Sequence, residues 1–206
     1  MPKVKVPRKS TAIDMTAMCD VASLLLTFFI LTATARQPEP LTVDTPTSTV
    51  KIKVPETNIG TITVGQGKVF FGVKGQNVRI NMLEKMGERY KIQFTDEEKK
   101  RFSLMESFGV DIRQLKQVIA LSGTDRNKPG VQQGIPVDSV GQSPSQLHEW
   151  LFNARLATKE LNDESMRVSI KGDAKEQYPT VKKIIDILQK QKVNKFSLIT
   201  SLEGMD

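Results

Sequence analysis

A carboxylate set in an apolar segment is the part of this chain best placed to do chemistry. Residues 21–35 read VASLLLTFFILTATA without a charge, and Asp20 stands directly before them. Starting at Met15 adds only that one charge, and the 21 residues would span roughly 31 Å as a helix, close to the hydrocarbon thickness of a bilayer. A carboxylate in a membrane helix is costly unless it is neutralised or faces a partner, which makes it a functional candidate by default. At about 100° per residue, Thr16, Asp20, Ser23, Thr27 and Thr34 fall within an arc of about 60°. The opposite side is Leu, Phe, Val and Met. A polar stripe centred on an acid is expected to face other helices or a hydrated path rather than lipid. Asp14 lies about 120° around from Asp20 and nearer the N-terminal boundary. Its plainer assignment is a solvated boundary residue or helix N-cap, and its sharper one is a role in ion entry.

The segment needs an orientation and an end. Lys3, Lys5, Arg8 and Lys9 precede any acid and predict a flank that stays cytoplasmic, while Arg36, Pro38 and Pro40 close the helix on the far side. A basic start, an apolar stretch and a small-residue end also describe a secretory signal peptide, although a carboxylate opening the apolar run is unusual for one. Hydrophobic residues make up 38% of the 206 and mean hydropathy is −0.29, which excludes a polytopic membrane protein. The net charge of +7 is concentrated in the N-terminal tail, and no basic stripe interleaved with aromatics follows, so nucleic acid is not an expected partner. One cysteine, Cys19, and one histidine, His148, leave no internal disulfide and no Cys/His zinc site. With no nucleophile–base pair, metal cluster or nucleotide loop in view, the chain reads as neither an enzyme nor a cofactor binder.

The run IDMTAMCDVASLLLTFFILTA over residues 13–33 resembles the membrane segment of the ExbD/TolR proteins, the small subunits of proton-driven motors. Asp20, Val21, Leu24, Leu25, Phe29, Thr32 and Ala33 fit the pattern of that family. Asp14 stands where the family usually has Asn, and Ala17 where it has Pro. Residues 167–173, Tyr178, 181–188 and 193–200 look like the closing strand–loop–helix–strand of the family. The resemblance implies that Asp20 is the ion-translocating residue and that Thr16, Ser23 and Thr27 supply hydroxyls along the path. It further implies a dimer whose helices sit inside a pentameric ExbB-like channel subunit in the bacterial inner membrane. The outer domain would work on a TonB-like energy transducer or engage peptidoglycan. A TolR-like envelope-integrity subunit is the near alternative; a secreted or membrane-anchored periplasmic binding module is the distant one.

The expected organisation is a cytoplasmic basic tail (1–12), a transmembrane helix (13–36), a flexible linker rich in Pro and Thr (37–49) and a periplasmic α+β domain (50–206). Residues 82–142 read as an inserted helical and loop region. Val50, Ile52 and Val54 alternate with lysines as a strand, and 61–64 and 69–73 flank Gly65-Gln66-Gly67 as a hairpin. Thr95 and Glu98 form a capping box for a helix to about residue 107, and apolar spacing predicts another over 111–121. Residues 122–142 read as a surface loop. Ser143 caps a helix whose buried face is Leu147, Trp150, Leu151, Ala154 and Leu161, with His148 directed to solvent. A strand over 167–170, a helix from Pro179 and a strand through Phe196, Leu198 and Thr200 complete a small mixed sheet with helices on one face, and Asp173 is a turn or cap residue.

Overall fold

The apolar run forms one uninterrupted helix, α1 (Met15–Thr32), long and apolar enough to cross a membrane by length and composition. The computed structural model describes residues 15–32, 40–41, 43, 47–48, 57–139, 143–173, 178–199 and 201–202. Asp14, Thr34, the strand expected through Val50, Ile52 and Val54, and Thr200 lie outside the described residues. The chain divides into two compact units, Met1–Arg36 and Gln37–Asp206.

The second unit is a mixed α/β domain. Its elements run β1 (Thr47–Ser48), β2 (Ile59–Gly65), β3 (Lys68–Val73), α2 (Gln76–Tyr90), α3 (Asp96–Ser103), α4 (Leu115–Ala120), α5 (Gly123–Arg126), α6 (Gln146–Asn162), β4 (Arg167–Gly172), α7 (Tyr178–Lys190), β5 (Phe196–Ile199) and β6 (Ser201–Leu202). The main sheet has the order β3-β2-β4-β5, antiparallel at β2–β3 and parallel at the other two pairings. The hairpin forms where the sequence predicts it. Gln66 and Gly67 both take positive φ, 55° and 69°, the hand that lets a two-residue turn follow the twist of its strands.

Register sorts the side chains. Ile62 pairs with Phe71 on one side and Ile170 on the other, and these share a face with Val64, Val69, Val73 and Val168 in a single core with the helices. The alternate face is more polar, carrying Thr61, Thr63, Ser169 and Ser197, but it also holds the buried Phe70 opposite Thr63. Period-two alternation puts the larger apolar set on the face that packs with the helices.

α2 is absent from the sequence reading, which started its inserted region at residue 82, inside this helix. Val78, Met82, Leu83 and Met86 are buried at helical spacing. α2 lies against α6, where Lys85 pairs with Glu160 at 2.9 Å and Arg89 with Glu149 at 3.3 Å. Residues 82–142 build much of the core: Met82, Met86, Phe102, Phe108, Ile112, Leu115, Ile119 and Ile135 are all buried. Trp150 sits among them, 4.7 Å from the Phe108 ring and 6.2 Å from that of Phe102.

Four local expectations shift. The capping box at Thr95 and Glu98 forms, with both reciprocal bonds, but α3 stops at Ser103 rather than near 107. The chain beyond it is needed as an extended cover for the sheet edge: Phe71 and Phe108 exchange backbone hydrogen bonds. The next helix starts at Leu115, not Asp111, because the Asp111 carboxylate accepts the Arg113 N–H at 2.8 Å and the Gln146 amide at 2.8 Å, turning the chain there. α6 is capped by Ser145, whose hydroxyl accepts the His148 N–H at 3.3 Å; Ser143 precedes the cap and Leu161 is 46% exposed. The stretch 122–142 holds the short helix α5 and the buried Gln132 and Ile135, so it is not wholly a surface loop.

Part of the stretch read as a linker is also engaged. Leu41 is buried, and it and Val43 occupy the space beside Gly65. Thr47 and Ser48 pair in parallel with Ser201 and Leu202.

Candidate functional site

α1 presents Thr16, Asp20, Ser23 and Thr27 from a single regular helix, so their spacing of four, three and four residues becomes a stripe along one side. Eighteen residues at about 1.5 Å each give roughly 27 Å of helix. None of its side chains is buried within the protein. Asp20 is exposed, and among the described residues no cation lies within ion-pair distance of it.

The hydroxyls behave differently from the carboxylate. Thr27 donates to the carbonyl of Leu24 at 2.9 Å, and Thr32 to that of Phe28 at 2.8 Å. Bonding back to its own helix satisfies a hydroxyl in apolar surroundings. A carboxylate has only acceptors when ionised and cannot be satisfied by the carbonyls of its own helix. Asp20 is therefore the group in the stripe that requires something from outside α1. Thr32, named in the sequence only as part of the family pattern, lies outside the Asp20 stripe; its back-bond to Phe28 follows from a threonine placed four residues after it.

Among its described residues the second unit has no comparable constellation. Among the described residues no group of three or more His, Cys, Asp or Glu could hold a metal ion. His148 departs from expectation: its Nδ1 is shielded from solvent and has no hydrogen-bond partner, while its carbonyl accepts from the Gln191 amide at 2.7 Å. The residue as a whole is half-buried, on a helix that packs against α7, so it is not wholly directed to solvent. Asp173 follows β4, and its N–H donates to the Val64 carbonyl at 2.9 Å, extending the β2–β4 ladder. Arg79 reaches the carbonyl of Met105, and burial pushes its guanidinium below the ordinary value despite the nearby Glu106.

No curated protein and no solved structure matches the chain. A family model described as Biopolymer transport protein ExbD/TolR matches residues 7–203, running through the middle of the chain as well as both ends. One N-terminal helix fit to span a membrane, followed by a mixed α/β domain, agrees with a single-pass membrane protein of that kind. The chain belongs to the ExbD/TolR family, whose members are energy-transducing subunits in biopolymer transport rather than enzymes.

Proposed function

We propose that this protein is the small subunit of an ion-motive-force-driven motor in the bacterial inner membrane, with Asp20 as the residue that carries the proton. The observation that carries the proposal is the placement of Asp20 as the lone charge of α1, centred in a stripe of hydroxyls. A carboxylate at the centre of a membrane helix costs about 2.5–3.5 kcal/mol on insertion scales; Asp20, in the first third of α1, bears part of that cost, and a partner that offers water or a polar wall offsets it. An ExbB-like channel subunit, pentameric and enclosing a dimer of this chain, supplies such a wall. Asp20 is charged where it meets water and neutral where it meets the apolar wall. Passage between the two couples proton flow to rotation of α1. Thr16, Ser23 and Thr27 line the same side, and Asp14 is assigned a role in ion entry.

In this reading the basic tail 1–12 is cytoplasmic and the α/β domain is periplasmic, tethered through 37–49. The domain passes work to a TonB-like transducer for transport across the outer membrane, with peptidoglycan as a further contact. The test is Asp20→Asn, made with the channel subunit co-expressed. Ion-driven activity is expected to vanish while copurification of the two subunits persists; retained activity overturns the proposal. Replacing α1 with an unrelated membrane helix separates a motor from a tether, because a tethered module would keep its function.

A further inference from the structure

Two arginines from different helices end on neighbouring carbonyls. Arg101, in the last turn of α3, donates from Nη1 to the Ala120 carbonyl at 3.5 Å, and Arg126, closing α5, donates from Nη2 to the Leu121 carbonyl at 3.1 Å. Ala120 and Leu121 are the C-terminal end of α4. The plain account is that two cations cap a helix C-terminus.

That account leaves three observations over. Among the described residues neither guanidinium has a carboxylate within ion-pair distance; the adjacent Asp125 is engaged by Lys128 at 2.7 Å and by the Ser122 hydroxyl at 2.7 Å. The Nε of Arg126 is shut off from solvent without a hydrogen-bond partner. Burial, and then the like charge of Arg101, push the Arg126 guanidinium below its ordinary value. Each arginine has five N–H donors in a fork that matches a carboxylate, and the carbonyls use one from each.

Apolar surface lies alongside. Leu104, the C-cap of α3 one turn beyond Arg101, is 58% exposed, and Leu121, the C-cap of α4, is 38% exposed. From this juxtaposition we infer that the shared C-terminal end of α3 and α4 is a docking site for an acidic peptide segment of a partner protein. Its carboxylates lie on Arg101 and Arg126, and its apolar side chains cover Leu104 and Leu121. Charge complementarity selects an acidic partner, and the leucines select a peptide over a free phosphate, which would leave them in water. The inference stands on the outer domain alone and does not depend on how Asp20 works.

The test uses the full chain in nanodiscs and a fluorescein-labelled peptide of alternating Leu and Glu, with a Leu–Gln peptide as control, followed by anisotropy. The Glu peptide is expected to bind and the Gln peptide not to. Affinity should fall about tenfold in Arg101→Gln/Arg126→Gln, and should weaken with added salt. Leu104→Ser/Leu121→Ser, which leaves both guanidiniums and their capping bonds in place, should also weaken binding. Equal binding of the two peptides overturns the proposal. So does a double Gln variant that loses thermal stability yet binds the Glu peptide unchanged, since the arginines then serve only as caps. Undiminished binding in the double Ser variant, with inorganic phosphate displacing the peptide, makes the site a simple anion site and overturns the peptide assignment.

Discussion

The backbone N–H of Phe71 donates to the carbonyl of Phe108 at 2.8 Å, and the N–H of Phe108 donates back to Phe71 at 2.9 Å. This antiparallel bridge, with the Ile135 N–H donating to the Val69 carbonyl at 2.8 Å, covers the outer edge of β3, which would otherwise offer unpaired backbone groups to another chain. Phe108 also presses its ring onto Phe102, with centroids 5.2 Å apart, and onto Trp150. Phe108→Ala is expected to cost about 3–5 kcal/mol, read as a lower urea midpoint with an unchanged slope.

Gly72 lies under the same bridge. A Cβ there would stand 2.2 Å from the backbone carbonyl oxygen of Glu106, which cannot swing away as a side chain can. Gly72→Ala should destabilise the domain by about 1–3 kcal/mol and speed amide exchange at Phe71 and Phe108. Gly67 provides the contrast: a Cβ there would meet nothing within 4 Å, and its φ of 69° suits Asn, so Gly67→Asn should be close to neutral.

The Thr95 hydroxyl accepts the Glu98 N–H at 3.3 Å, and the Glu98 carboxylate accepts the Thr95 N–H at 2.8 Å. Thr95→Ala removes the first of these bonds and should cost about 1 kcal/mol, measurable as a drop in Tm.

Tyr90 sets an alkaline limit. Burial, followed by the charges of Glu149 and Asp111, pushes its phenol above the ordinary 10.0. The folded state then holds a proton that the unfolded state has released, so this contribution is complete below pH 10.0 and is lost as pH rises through the folded value. Tyr90→Phe is expected to flatten the stability profile above pH 10.0 and leave it unchanged near neutrality; an identical alkaline limb in both proteins would exclude the phenol as its cause.

Within α1, Thr27 already spends its hydroxyl proton on the Leu24 carbonyl. Thr27→Ser should keep ion-driven activity, and Thr27→Val should slow it without abolishing it. A null phenotype for Thr27→Val would place this residue alongside Asp20 in the transfer itself.

Features written in short-range chemistry were legible in the sequence. The membrane helix, the Gln66-Gly67 turn, the Thr95 cap and the buried face around Trp150 each depend on residues a few positions apart. What was missed depends on tertiary contact. α2 has the right spacing at Val78, Met82 and Met86, but its mean character is polar and it becomes convincing only once α6 covers that stripe. The early end of α3 follows from the demand of β3 for an edge partner, which no residue near Ser103 announces. Arg101 and Arg126 are ordinary surface residues in sequence; only the fold brings them to one pair of carbonyls.

The register that joins Ile62 to Ile170 also has a consequence in time. The hairpin is complete soon after residue 73 emerges, but its parallel neighbour arrives only about a hundred residues later, a long loop to close before the pairing yields any return. The open flank of β2 must stay unpaired throughout that interval. A growing chain interrupted before β4 would carry a sticky half-sheet, a natural substrate for chaperones and quality-control proteases.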